Sequence, residues 1–104
     1  MSSTPELNDV ASGVLSSLDK KGLLDDKVKQ IIVSTCEEPN AVSTQYVNQG
    51  DFTIALIQSN TGKVLGAGVS KRNHVDKWNG MRGRATALSR AVRNWVQLVQ
   101  LHQS

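Results

Sequence analysis

The hydrophobic period of this chain changes twice, from helical to strand-like and back, and this limits its possible folds more than any other feature. Leu7, Val10, Ala11, Val14, Leu15 and Leu18 recur at i, i+3, i+4, i+7, i+8 and i+11, the apolar stripe of one helix. Thr4-Pro5 supplies a start signal, a capping hydroxyl followed by proline at the first helical position, and Gly22 a stop. Leu24, Val28, Ile31 and Ile32 keep helical spacing around Asp25 and predict a second, short helix, and both stripes are expected to pack in the core. Cys36 to Asn40 then reads as a loop.

Ala41 to Val47 is a weakly patterned strand. Asn48-Gln49-Gly50-Asp51 carries turn chemistry, and Phe52 to Gln58 is the clearest strand, with Phe52, Ile54 and Leu56 opposite Thr53, Ala55 and Ile57. A turn at Ser59-Asn60-Thr61-Gly62 leads into a third strand from Lys63 to about Ser70, completing an antiparallel meander. Residues 71–82 read as a polar connector. Leu88, Val92, Trp95, Val96 and Val99 restore the helical period in a last helix that starts near residues 81–83 and runs to about Leu101. On its wheel Arg82, Arg90 and Arg93 lie opposite the stripe, whereas Arg84 lies near it in the first turn. The expected class is α+β in the order α(α)βββα, with helices on one face of a three-stranded sheet.

A chain of 104 residues, 38% apolar and 20% charged, has the size and composition of one globular domain, spanning residues 1–104. Its longest apolar run, Ile54-Ala55-Leu56-Ile57, falls far short of the roughly 20 residues of a membrane span, so no membrane association is expected. No secretory signal is visible at Met1-Ser2-Ser3-Thr4-Pro5, and the single Cys36 permits no internal disulfide. These features predict the cytoplasm, here that of a bacterial host cell.

Charge is divided along the chain. Residues 1–40 carry four Lys against seven Asp/Glu, whereas residues 41–104 carry eight Lys/Arg against two acids. Seven of those eight bases (Lys71, Arg72, Lys77, Arg82, Arg84, Arg90 and Arg93) fall within 23 residues, opposed only by Asp76. Such a run can be a solvated face, but local clustering of mostly Arg favours an anion-binding surface.

Catalytic groups are scarce. His74 and His102 are the only histidines, and a Cys36–His74 pair has no identifiable third group to orient it. No Cys, His or carboxylate cluster has metal-ligand spacing, and Asp25-Asp26 and Glu37-Glu38 are ordinary solvated neighbours. Gly66-Ala67-Gly68 lacks the rest of a dinucleotide fingerprint; two glycines on one strand face let a helix or ligand approach closely. The expectation is no enzyme, no catalytic residues, no cofactor and no metal.

Binding chemistry is concentrated in one stretch. Lys71, Arg72, Asn73 and Trp78 follow the third strand, and Arg82 and Arg84 stand at the start of the last helix. Helix N-termini carry unsatisfied N–H groups and partial positive charge, so basic side chains normally avoid them. Two Arg there predict an external anion that offsets the repulsion, since guanidinium forks match phosphate. Trp78 can stack on a base or close the core edge.

Two resemblances meet at these residues. The element order with Gly62-Lys63, Gly66, Gly68 and Ser70-Lys71-Arg72 resembles a double-stranded-RNA-binding domain in shape, although about ten residues of connector precede Ala85 and Ala87. Over residues 62–92, Asn73, Asp76, Trp78, Asn79, Gly83, Arg84, Ala87, Leu88, Arg90 and Ala91 form N-x-x-D-x-W-N-x-x-x-G-R-x-x-A-L-x-R-A. This resembles the C-terminal signature of small phage- and prophage-encoded proteins, among them the first family of Thoeris anti-defence proteins. That resemblance implies an oligomeric sponge that sequesters a cyclic ADP-ribose-type signal without degrading it, with Asn73 and Arg90 at the ligand.

The resulting expectation is a non-enzymatic, homo-oligomeric binder of a phosphate-bearing nucleotide, using Lys71, Arg72, Asn73, Trp78, Arg82, Arg84, Arg90 and Arg93. The alternatives are a DNA- or RNA-binding module using the same bases, and an interaction module for an acidic host protein.

Overall fold

The computed structural model describes residues 7–38, 41–71 and 80–103, with side chains from 83 to 102 in the last segment. The start signal at Thr4-Pro5 and most of the connector lie outside the described residues. Two helices, α1 (Leu7–Lys20) and α2 (Asp26–Glu37), precede three strands, β1 (Val42–Gln49), β2 (Phe52–Ser59) and β3 (Val64–Lys71), and a long helix α3 (Gly80–Gln103). The class is α+β, in the expected order.

Local chemistry sets the helix ends. Gly22 takes φ 69°, and the Gly22 and Leu23 N–H groups donate to the Asp19 and Leu18 carbonyls, each at 3.0 Å. This paired closure satisfies carbonyls that a helix end leaves open, and it needs the left-handed conformation glycine adopts freely. Asp25 caps α2 by accepting from Lys27 N–H at 2.8 Å. The Cys36–Asn40 loop is corrected at its start, because α2 continues through Cys36 and Glu37 and puts the cysteine in its last turn. Ile31 is a second correction. Val28 and Ile32, one helical turn apart, are fully buried, while Ile31 points out and is 37% exposed.

The sheet is antiparallel in the order β1-β2-β3. β1 pairs from Val42↔Ser59 to Gln49↔Phe52, so Asn48 and Gln49 belong to the strand and the turn shrinks to Gly50-Asp51. Gly50, at φ 61°, takes the left-handed first position that such tight hairpins require. β2 pairs with β3 from Phe52↔Lys71 to Ile57↔Gly66, then shifts register, with Gln58 opposite Val64.

One apolar cluster joins all the layers: Ala11, Val14 and Leu15 of α1, Val28 and Ile32 of α2, Ala55 and Ile57 of β2, and six residues of α3 from Ala87 to Val96. The stripe read from sequence forms the buried side of α3, with Leu88, Val92, Trp95 and Val96 at 4% exposure or less. α3 lies closest to β3 because Gly66 and Gly68 have no side chains. A Cβ on Gly66 would stand 2.5 Å from the Ala91 carbonyl oxygen, and one on Gly68 would overlap the Ala87 carbonyl and the Ala91 nitrogen. Ala87 and Ala91, one turn apart, are the matching small residues on the helix. The close approach left open by the sequence is therefore made by a helix.

The opposite sheet face is less covered. Phe52, Val47 and Val69 are 44%, 39% and 43% exposed there, so the more apolar edge of β2's alternation points away from the helices. Among the described residues no helix is long and apolar enough to cross a membrane.

Candidate functional site at the start of helix α3

α3 starts over one end of the sheet. Its first turns sit on Thr53, whose hydroxyl lies 3.5 Å from where a Gly83 Cβ would be and donates to Asn48 Oδ1 at 3.3 Å. No acidic residue stands in the first turn, so nothing of the helix itself balances its dipole there. At the fifth position, Arg84 is half-buried and places its guanidinium 5.9 Å from the centroid of the Tyr46 ring, within cation–π range. Among the described residues no carboxylate lies within ion-pair distance of Arg84.

Tyr46 is a site residue that the sequence did not disclose. It lies on the helix-facing side of β1, opposite Ala55. Among the described residues its hydroxyl oxygen is shielded from solvent and has no hydrogen-bond partner, an arrangement that ordinarily costs about 1–3 kcal/mol. Burial raises the phenol pKa, and the Arg84 charge pulls it partly back. Only register could have exposed this residue, by putting a large ring across from the small Ala55 beneath the start of a helix.

The other predicted residues do not converge on this point. Lys71 follows buried Ser70 on β3, so alternation turns it to the opposite sheet face, where Nζ lies 5.8 Å from the Phe52 ring centroid. Arg90 and Arg93 are exposed on α3, one turn apart. Arg90 Nη1 donates to the Val69 carbonyl at 2.5 Å, and Asn94 Oδ1 accepts from Ala67 N–H at 3.1 Å. These two side chains take up two of the outward backbone groups of β3, groups that an edge strand leaves unpaired. Arg72, Asn73, Trp78 and His74 lie outside the described residues, as does the side chain of Arg82, which falls in the first turn of α3.

Elsewhere, a cleft of about 400 Å³ runs between α1 and α2, floored by Ala11, Leu15, Val33 and Cys36 and rimmed by an exposed Asp19–Lys29 pair at 3.8 Å. Burial, with Glu37 adding, pushes the Cys36 thiol above its usual range. This opposes the thiolate that nucleophilic catalysis needs. Among the described residues no group of three or more His, Cys, Asp or Glu could hold a metal ion. No protein-family model matches the chain, and neither a curated protein nor a solved structure matches it.

Proposed function

We propose that this chain binds a phosphate-bearing nucleotide at the start of α3 without transforming it. The observation that carries the reading is the Arg84–Tyr46 pair. It is a guanidinium in cation–π range of a ring, at the end of a helix with no acid in its first turn, and among the described residues neither the guanidinium has a carboxylate partner nor the ring hydroxyl a hydrogen-bond partner. An anion held there receives helix N–H groups and a guanidinium fork together. The finer reading, a homo-oligomeric phage-encoded sponge for a cyclic nucleotide signal, rests on the sequence pattern from Asn73 to Ala91. Sequestration needs affinity alone, which fits a site that offers cationic and stacking groups.

Salt dependence separates this reading from a nucleic-acid module. A protein tracking duplex DNA loses log affinity against log salt at about −0.9 per phosphate neutralised. A pocket around one nucleotide meets few phosphates and depends on fixed hydrogen bonds and stacking. Titration with a duplex, a single strand and a panel of cyclic nucleotides, at low and physiological salt, is expected to show nucleotide binding that survives and duplex binding that vanishes. Arg84→Ala is expected to weaken the nucleotide at least about tenfold, as loss of a charge-assisted contact does. Salt-tolerant binding to DNA or RNA with no response to nucleotides would replace this reading with the nucleic-acid one. Silence from every ligand would direct the search to an acidic protein partner.

A further inference from the structure

We infer that two copies of this chain join edge to edge through β1, making one continuous six-stranded sheet about a twofold axis at Gln45. The two edges of the sheet are treated differently. At β3 the outward Ala67 N–H and Val69 carbonyl are taken up by Asn94 and Arg90 of α3. At β1 no such cover exists among the described residues.

The outward groups of β1 follow from its pairing. Asn60 N–H donates to the Ala41 carbonyl at 3.0 Å, so residue 41 points its backbone groups at β2. By alternation, residues 43, 45, 47 and 49 do the same, and Val42, Thr44, Tyr46 and Asn48 point theirs outward. None of those outward groups has a hydrogen-bond partner among the described residues. Natural edges are normally blunted by Lys, Pro, a bulge or shortness. β1 has none of these, being eight residues, VSTQYVNQ, with neither charge nor proline and in unbroken register with β2.

The same pattern selects a second copy as the occupant. An antiparallel pair of identical strands must set outward residues opposite outward residues. Of the registers that do so, one uses all of them: Val42 opposite the partner's Asn48 and Thr44 opposite the partner's Tyr46, with the symmetric pairs. Each such pair exchanges two hydrogen bonds, so every outward N–H and carbonyl of both strands is satisfied. Sliding by one pair in either direction leaves groups over. In this register Gln45, exposed on the helix-free face, meets the partner's Gln45 on the axis. A residue on a twofold axis must complement itself. A carboxamide does, because it both donates and accepts, whereas a lysine or a carboxylate would repel its copy.

The experiment is sedimentation of the full chain over roughly a hundredfold concentration range, because a dimer fraction follows mass action, together with cysteine cross-linking in a Cys36→Ser background. Wild type is expected to approach twice its 11.3 kDa chain mass. Gln45→Lys sets like charges directly opposite each other and is expected to weaken dimerisation at least about tenfold with an unchanged far-ultraviolet circular dichroism spectrum. Gln45→Cys is expected to cross-link on oxidation, since Cα atoms of such a non-hydrogen-bonded pair stand about 4.5 Å apart, within disulfide reach. Ser43→Cys, about 13 Å from its own copy in this register, is expected not to. A wild type that stays monomeric throughout overturns the inference, as does a Gln45→Lys dimer as tight as wild type. Equal cross-linking at positions 43 and 45 overturns it too. None of these readouts depends on a nucleotide.

Discussion

Arg90 shows how one side chain can satisfy a sequence pattern and a structural need together. Its exposure was legible from the helical wheel, but its bond to the Val69 carbonyl was not, because that bond depends on which β3 groups face outward. Val69 is itself 43% exposed, so a carbonyl released by Arg90→Ala is rehydrated. The loss of stability is expected to stay within about 1 kcal/mol. Leu88, with no exposed surface, is expected to lose about 2–5 kcal/mol on truncation to alanine. Thermal melts of the two variants check this directly. Equal destabilisation would make Arg90 a structural residue and remove it from any binding surface. Gly68 tests the opposite kind of residue, one that acts through having no side chain. Its added methyl would meet backbone of α3, not flexible side-chain ends. Gly68→Ala is therefore expected to cost at least about 1–3 kcal/mol, the usual range for overpacking, read as a lower denaturation midpoint at unchanged slope.

Elements with one strong period were legible, and those whose limits depend on neighbours were not. The stripes of α1 and α3 and the alternation of β2 follow from the order of apolar residues alone. The two added residues of α2, Cys36 and Glu37, and the two added residues of β1 do not. Cys36 packs against the core, and Asn48 and Gln49 pair with Thr53 and Phe52. In both places tertiary contact overrode residues whose local preference was for loop or turn. The candidate site divided in the same way. That cations gather near the start of α3 is written in the sequence, but their separation onto two sheet faces needed the register of β3. The Asp25 cap of α2 was not legible, since in the sequence Asp25-Asp26 reads as a pair of ordinary solvated neighbours. Asp25→Ala is expected to cost about 0.5–2 kcal/mol, measurable by urea denaturation, while Asp25→Asn retains most of that stability.

At the scale of the whole molecule, the groups with displaced pKa values set how stability responds to pH. Cys36 and Tyr46 both titrate from neutral to anionic, and burial raises both, with Glu37 adding at the thiol and Arg84 opposing at the phenol. A raised pKa means that the folded state keeps its proton at a pH where the unfolded chain has released it. Between the unfolded and folded values the unfolded state therefore binds fewer protons, and stability falls as pH rises. The contribution is fully present below about pH 8.5, the ordinary thiol value, and a second loss starts near pH 10, the ordinary phenol value. Melting temperature is thus expected to decline on the alkaline side in two stages, the first belonging to Cys36 and the second to Tyr46. Cys36→Ser should flatten the first stage and leave the second, while Tyr46→Phe should do the reverse. Melts of wild type and the two variants from neutral pH upward check the assignment. An alkaline limb that both substitutions leave unchanged would mean that the lysines, not these two half-buried acids, govern it.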